Sequence, residues 1–527
     1  MAVLTRKNDH LFIVIGINTD DRRSLDRDFV ERKMQKMSTI NQPVNIAPSN
    51  REALARSKLR YFLTWRWHFY AGLFVIPFML MLSLTGLVML FDDEIEFSRY
   101  QSLLEVSPQV STVATSLQME NVLAAYPNAR VTQFIPAPSR DLANRFSITL
   151  ESGKTVFVTV DPYNGDILGT IDRSDSWYEL ANDIHGTLLL GDWGDYLIEI
   201  AASLGVILLV TGVYLWIPRD NASKAGFLKV RMTSGSRILM RDLHANIGGL
   251  LSFVLLFFFI SGLAWASVWG GKFVQAWSSF PAEKWDDVPL STQTHASMNH
   301  GSEEEMPWNL EQTLMPESHD HAAMLAAGAG SMQHDTEMAH DMNMHTKAKI
   351  AIDEILDQAD MLGFTQFKLN FPRSETGVYT LAANTMSGDI SDPRLDRTTH
   401  IDQYSGRVLA DVTWNEYNPM AKFMAAGIAL HQGDVSVLNK VVNVLFCLAF
   451  IFIAISGAVM WFIRRPTGKK VLGAPPRFEH EGVWKVGLIT ITVLSFMLPM
   501  AGGVIALVLF IDWLVFNRMN RLKLALN

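Results

Sequence analysis

Four stretches of about twenty apolar residues, at 69–91, 198–217, 247–268 and 441–463, decide the solvent in which this chain folds. Each is long enough to cross about 30 Å of hydrocarbon as a helix. No water reaches that depth, so every backbone N–H and C=O must be paired within its own segment, and a helix does this. A fifth apolar region, 483–516, is too long for one span and is interrupted by Leu498-Pro-Met-Ala-Gly-Gly503. It reads as a hairpin of two short helices, with a single kinked or re-entrant helix as the alternative. Composition agrees: 49% of the 527 residues are hydrophobic and 19% charged, as expected of a membrane protein with sizeable soluble parts. The net charge of −8 speaks against a nucleic-acid partner.

Basic residues set the expected orientation. The link between the second and third spans carries Arg219, Lys224, Lys229, Arg231, Arg237 and Arg241. Arg464, Arg465, Lys469, Lys470 and Arg477 follow the fourth, and Arg518, Arg521 and Lys523 close the chain. The positive-inside bias puts all of these, and both termini, in the cytoplasm. Residues 92–195 and 267–435 then lie outside. No secretory signal peptide precedes the first span, because the apolar run 11–17 is too short and has charged flanks. Residues 1–60 read as a disordered cytoplasmic extension. Both external segments read as small α+β modules. The first has a helix near 119–126 and strands at 130–135, 146–150 and 155–160. The second has a helix near 350–361 and strands at 367–371, 379–382 and 400–408.

The segments recur. His68-Phe-Tyr-Ala-Gly72 opens the first span and His244-Ala-Asn-Ile-Gly248 the third, and 18 residues beyond each histidine come Gly86 and Gly262, preceded by Thr85 and Ser261. Outside the membrane, Asp161-Pro-Tyr-Asn-Gly165 matches Asp402-Gln-Tyr-Ser-Gly406. His185 and His431 then precede spans that end alike, in Gly212-Val-Tyr-Leu-Trp216 and Gly457-Ala-Val-Met-Trp461. The sequence therefore predicts a mainly α, polytopic membrane protein in which a unit of helix, external α+β module and helix is used twice, at 61–219 and 244–465. A basic link joins the units at 220–243, and a C-terminal hairpin occupies 466–527. Glycines at matched depths (Gly72, Gly86, Gly212, Gly248, Gly262, Gly457) would admit close packing of helices or of a flat macrocycle.

Only a few histidines recur, and they fall at two depths. His68 and His244 begin spans on the cytoplasmic side, and His185 and His431 precede spans on the outer side. Two facing imidazoles at one depth are the usual way for a helical bundle to hold haem iron. The expected pairs are His68 with His244 and His185 with His431, holding two b-type haems. The single cysteine, Cys447, excludes a Cys-x-x-Cys-His attachment, so the haems would be non-covalent. Zinc or copper is the alternative ligand, weakened by the absence of carboxylate or cysteine one helical turn away. His185 sits well before its span, in Asn182-Asp-Ile-His-Gly186, and fits a short helix of its own. His400 reads as structural.

These motifs resemble the PepSY-associated transmembrane helix family, which includes ferric-siderophore reductases of bacterial inner membranes. The carrying residues are His68 with Gly72 and Thr85-Gly86, His185-Gly-Thr-Leu-Leu-Leu-Gly191, Thr211-Gly-Val-Tyr-Leu-Trp-Ile-Pro-Arg219, Arg241-Asp-Leu-His-Ala-Asn-Ile-Gly248 and Ser456-Gly-Ala-Val-Met-Trp461. The likeness covers about residues 60–465. It implies PepSY-like external modules, two haems, and one-electron reduction of ferric iron outside the inner membrane, with a ferric siderophore or other metal complex as substrate. Residues 295–345 depart from the pattern. They interleave His295, His300, His319, His321, His334, His340 and His345 with Met298, Met306, Met315, Met324, Met332, Met338, Met342 and Met344. His334, Met338, His340, Met342, Met344 and His345 are the candidate metal ligands there. Thioether with imidazole suits copper(I), so a copper reductase is the alternative to an iron reductase; a low-complexity linker of loose metal affinity is the other reading.

No Gly-x-Gly-x-x-Gly follows a strand, so electrons are expected from outside the chain, from quinol or a cytoplasmic reductase. Trp177, Trp193, Trp265 and Trp269 are placed to shape a docking surface above the outer histidines or to form an interfacial belt. A haem-free transporter or permease accessory protein is a rival of another class. It predicts broken helices and charged residues at the midplane, neither of which the first four spans suggest.

Overall fold

The computed structural model describes residues 2–7, 10–15, 48–219, 224–275, 288–299, 305–318, 349–465, 472–475 and 484–511. Residues 1–59 form a unit of their own. In it β1 (Ala2–Lys7) and β2 (His10–Ile15) pair antiparallel, with Ala2 opposite Ile15 and Lys7 opposite His10. The sequence reading expects no fixed structure there. The consecutive β-branched Ile13, Val14 and Ile15 suit a paired strand, and the hairpin uses them.

The chain then runs through α1 (Pro48–Met89), α2 (Asp92–Leu104), α3 (Thr115–Ala125), β3 (Arg130–Ile135), β4 (Asn144–Thr149), β5 (Thr155–Val160) and β6 (Ile167–Asp172). Next come α4 (Trp177–Thr187), α5 (Asp192–Trp216), α6 (Ser236–Leu250), α7 (Ser252–Leu263), a π-helical turn at Trp269–Val274, β7 (Leu290–Thr294), a 3-10 turn at His295–Met298 and β8 (Leu314–Pro316). The last part holds α8 (Ile352–Leu362), β9 (Lys368–Asn370), β10 (Val378–Ala383), β11 (Arg397–Asp402), β12 (Val408–Thr413), α9 (Pro419–Gln432), α10 (Val437–Arg464), α11 (Lys485–Met497) and α12 (Pro499–Ile511).

Among the described residues three helices are long and apolar enough to cross a membrane: 55–89 of α1, α5 and α10. On α10 the faces separate cleanly. Asn443, Cys447, Phe450 and Ala454 are buried, while Leu438, Val441, Leu445, Leu448 and Ile455 are exposed. An exposed stripe that is as apolar as the buried one is a liability in water and the expected surface in lipid. Packed between the helices are Val75, Met79, Val206, Ile207, Phe259, Leu263, Ile428, Ile453 and Leu498.

The third span differs from expectation. It is two helices, α6 and α7, bent by 60° at Leu251, whose φ of −87° and ψ of 4° lie outside the helical region. Gly248-Gly249 stands just before the bend, and Ser252 Oγ donates to Gly249 O at 2.8 Å. A Cβ on Gly249 would collide with the indole of Trp216, so α5 can approach α6 only at a glycine. The C-terminal region breaks at Leu498-Pro499 as expected. Its helices α11 and α12 have 13 residues each, about 20 Å, which is short of a full crossing.

The larger correction concerns the external modules. They do not stand apart: their strands form one eight-stranded sheet in the order β12-β11-β10-β9-β3-β4-β5-β6, antiparallel throughout. The seam is β3 against β9, with Gln133 opposite Asn370 and Phe134 opposite Leu369. Each module alone would leave β3 or β9 as an open edge with unpaired backbone groups, and joining them removes both edges. The chain is therefore less purely α than its composition suggests. The expected strand at 400–408 is in fact cut by a turn. Tyr404 N–H donates to Asp402 Oδ1 (3.0 Å) and Gly406, at φ +69°, donates to Asp402 O (3.0 Å). Asp161, Tyr163 and Gly165 close the same turn, at 2.8 and 2.9 Å, with Gly165 at φ +78°. One face of the sheet packs Phe134, Phe146, Val158, Leu369, Leu381 and Ile401 against α3 and α8. The other turns Gln133, Asn370, Thr380 and His400, all buried and polar, toward residues 295–318.

Candidate functional site

Each recurring histidine lies on a helix and is held by a hydroxyl-bearing residue followed by glycine on another helix. His68 of α1 meets Thr211-Gly212 of α5: its Nδ1 is 3.0 Å from Leu208 O and 3.2 Å from Thr211 Oγ1. His244 of α6 meets Ser456-Gly457 of α10, with Nδ1 3.1 Å from Ile453 O and 2.9 Å from Ser456 Oγ. His185, on the short helix α4, has Nδ1 2.8 Å from Thr85 Oγ1 of α1. His431 of α9 has Nδ1 2.8 Å from Ser261 Oγ of α7.

Leu208 O and Ile453 O can only accept, so in His68 and His244 Nδ1–H donates and the lone pair is on Nε2, the atom a metal would take. The four hydroxyls also reach a carbonyl of their own helix, Thr211 to Ile207, Ser456 to Ile453, Thr85 to Met81 and Ser261 to Phe257, at 2.8–3.0 Å. With its hydrogen so placed, each hydroxyl accepts from Nδ1–H, which gives His185 and His431 the same tautomer.

The glycines complete the cradle. A Cβ at Gly212 would stand 3.0 Å from His68 Cε1, at Gly457 3.4 Å from His244 Cε1, at Gly262 3.5 Å from His431 Cε1 and at Gly86 3.8 Å from His185 Cε1. Any side chain here would push on an imidazole. The sequence marks both glycine and histidine, but the role of the hydroxyls is visible only in the structure. The available signal was a Thr/Ser-Gly dipeptide in each of the four spans, one per histidine.

His68 and His244 face each other with ring centres 6.4 Å apart and planes at 86°. A metal about 2.0 Å from each of two opposed imidazole nitrogens sets ring centres roughly 6.2 Å apart, so the separation of this pair is compatible with one metal between the rings. His431 lies within electrostatic range of His185, and the rings of Phe258 and Trp265 stand 4.8 and 5.8 Å from it. His68 and Thr85, which mark the two levels on α1, are about 26 Å apart along the helix axis.

Two residues that sequence reasoning passed over flank His244. Buried Asp242 accepts from Arg231 Nε (2.7 Å) and Nη2 (2.8 Å) and from Arg241 Nη2 (2.9 Å). Asn246 accepts from Trp216 Nε1 (3.1 Å) and Leu228 N (2.9 Å) and donates to Gly226 O and Lys229 O. Together they lash the basic link over the His244 end of the bundle. Among the four tryptophans, Trp177 and Trp193 are exposed and Trp265 abuts His431. Trp269 differs from expectation: it is buried and donates Nε1–H to Met497 O at 3.0 Å.

The metal candidates His334, Met338, His340, Met342, Met344 and His345 lie outside the described residues. His295 and His400 are described and fully buried, with Nε2 atoms 2.9 Å apart. Burial lowers His295 to about 4 and, helped by His295, holds His400 well below the ordinary histidine range. Among the described residues no three imidazole, carboxylate or thiol groups converge.

A family model described as the PepSY-associated TM region matches residues 65–464. No curated protein matches the chain.

Proposed function

The chain belongs to the family of the PepSY-associated TM region, and from that premise we propose that it is a di-haem electron-transfer protein reducing ferric iron, as a ferric siderophore, on the outer side of a bacterial inner membrane. The observation that carries the reading is the set of four Nδ1-fixed imidazoles, each on a glycine, with His68 and His244 spaced for one metal between them. His68 and His244 would hold the cytoplasmic-side haem and His185 and His431 the outer one. When bound, a haem would supply a one-electron centre at each level. Thr211, Ser456, Thr85 and Ser261 fix each ring's orientation and raise the basicity of its Nε2.

The unit of helix, half-sheet and helix, used twice, belongs to the same reading. Its support is the matched cradles, the matched aspartate turns and a sheet whose two four-stranded halves run outward from the β3–β9 seam. With the basic links facing the cytoplasm, the sheet and the His185–His431 level face outward, where the substrate would dock. One electron converts Fe(III) to Fe(II), which oxygen-donor siderophores hold far less tightly, and the metal is released. The donor would be quinol or a cytoplasmic reductase.

The break between α6 and α7 favours a transporter, since discontinuous helices build transporter sites. It lies beside Gly249, over which the Trp216 indole packs, and a transporter would have no use for four matched imidazoles. The reading is tested by mixing anaerobically reduced protein with a ferric chelate and a ferrous-iron trap. Reoxidation with one Fe(II) formed per electron is expected. A reduced protein indifferent to ferric chelates would end the reductase assignment.

A further inference from the structure

His295 and His400 belong to neither histidine level, yet both are fully buried against the sheet. His295 Nδ1 is 2.8 Å from Thr313 O, a carbonyl that can only accept, so this ring too carries its lone pair on Nε2. Thr313 Oγ1, also 2.8 Å away, donates to Leu310 O and so accepts from the same N–H. His400 Nδ1 lies 2.9 Å from Thr380 Oγ1, a hydroxyl that can serve as donor or acceptor. His400 Nε2–H can therefore donate to His295 Nε2. It can equally shift its hydrogen to Nδ1 and present a second lone pair, with no net gain or loss of a proton.

The spacing differs in kind from that of His68 and His244. Ring centres are 5.0 Å apart at 60°, close to the roughly 5.2 Å that a direct Nε2–H···Nε2 bond sets, so the two nitrogens face each other at hydrogen-bond distance and a shared metal requires the rings to tilt. With metal–nitrogen bonds of about 2.0 Å, nitrogens 2.9 Å apart subtend roughly 90°, and opening to a tetrahedral angle separates them by only about 0.4 Å more.

The third ligand follows from the local helix. His295–Met298 is a 3-10 turn, in which side chains three apart eclipse, so buried Met298 stacks on the His295 side. Met298 packs with Met306, Met315 and Ala382, and Ala382 is two positions along β10 from Thr380. The nearby carboxylate, Glu305, is committed to Arg173 (2.6 Å) and Gln133 (2.7 Å). A cavity of about 200 Å³, bordered by exposed Thr292 and Gln293, reaches Met298 and Met315 from the surface.

We propose that His295, His400 and Met298 form a buried copper(I) site, entered past Met315. Two imidazoles and a thioether, with no thiolate or carboxylate joining them among the described residues, are the donor set that soft monovalent copper takes and that zinc or ferric iron does not. The site is independent of haem and would persist in a haem-free protein.

The test is anaerobic titration of detergent-solubilised full-length protein with copper(I) against bicinchoninate. His400 lies outside the His/Met-rich stretch, so His400→Gln isolates this site from any copper bound there. Wild type should hold one tight equivalent that His400→Gln lacks, and Met298→Leu, a volume-conserving swap, should weaken it about tenfold or more. Unchanged stoichiometry and affinity in His400→Gln would overturn the assignment. Should that variant fail to fold, Met298→Leu decides: weakened binding supports the site, and unchanged binding overturns it.

Discussion

The glycine cradles make a graded prediction whose order is set by distance. Alanine at 212 would place a Cβ 3.0 Å from His68 Cε1, where ordinary contact starts near 3.4 Å, so the ring must yield by about 0.4 Å. Overpacking of this kind costs about 1–3 kcal/mol. Against it, replacing glycine by alanine inside a helix returns about 1 kcal/mol. The balance at 212 is unfavourable by up to about 2 kcal/mol, or roughly 30-fold in the affinity of the His68 level for its ligand. At 457 and 262, where the contacts would be 3.4 and 3.5 Å, the Cβ only just reaches ordinary contact and little overpacking cost arises. At 86, with 3.8 Å, the propensity gain prevails. Haem loss should therefore fall in the order Gly212→Ala, Gly457→Ala, Gly262→Ala, Gly86→Ala, read as haem per chain by pyridine haemochrome, with melting temperature as the folding control. A Gly86→Ala protein as depleted as Gly212→Ala would refute the cradle argument, as would a Gly212→Ala protein with full occupancy and an unshifted spectrum.

The hydroxyls divide differently. His68 and His244 each keep a carbonyl partner if the hydroxyl goes, whereas among the described residues Thr85 and Ser261 are the sole Nδ1 partners of His185 and His431. Thr85→Val and Ser261→Ala should thus cost about 10–100-fold in haem retention, and Thr211→Val and Ser456→Ala less, by dialysis against apomyoglobin. Arg173 and Glu305 are both buried, so Glu305→Ala strands a cation and should destabilise by about 3–5 kcal/mol, seen as a lower melting temperature and protease cleavage near residue 305. Burial pushes the Asp396 carboxyl up to about 7. Its folded-state pKa is raised, so the stability it contributes is complete below about pH 4 and is lost as pH rises through about 7. Asp396→Asn should match wild type in melting temperature near pH 4 and exceed it near pH 8; equal melting at both would show that Asp396 ionises freely.

The spans were legible because apolar length is a local property. The match of His68 with His244 was legible because repeats are compared by eye along the chain. The single sheet was not: β3 and β9 are more than two hundred residues apart, and each reads as a strand with no sign of its partner. Strand β12 was hidden because 400–408 reads as one strand, although its Asp402-Gln-Tyr-Ser-Gly406 repeats the turn that is plain at Asp161. The bend at Leu251 lies beside Gly249, over which the Trp216 indole packs, a tertiary contact that hydropathy does not record. The cradling hydroxyls escaped because threonine and serine in a span usually bond their own helix. Here they do that and accept from a histidine as well.

The central claim rests on haem, and a reduced-minus-oxidised visible spectrum of the purified protein with pyridine haemochrome stoichiometry tests it most directly. Two b-type haems per chain are predicted, one lost in His68→Ala or His244→Ala and the other in His185→Ala or His431→Ala. A colourless protein from haem-replete cells, or any of these variants retaining both haems, would contradict the account.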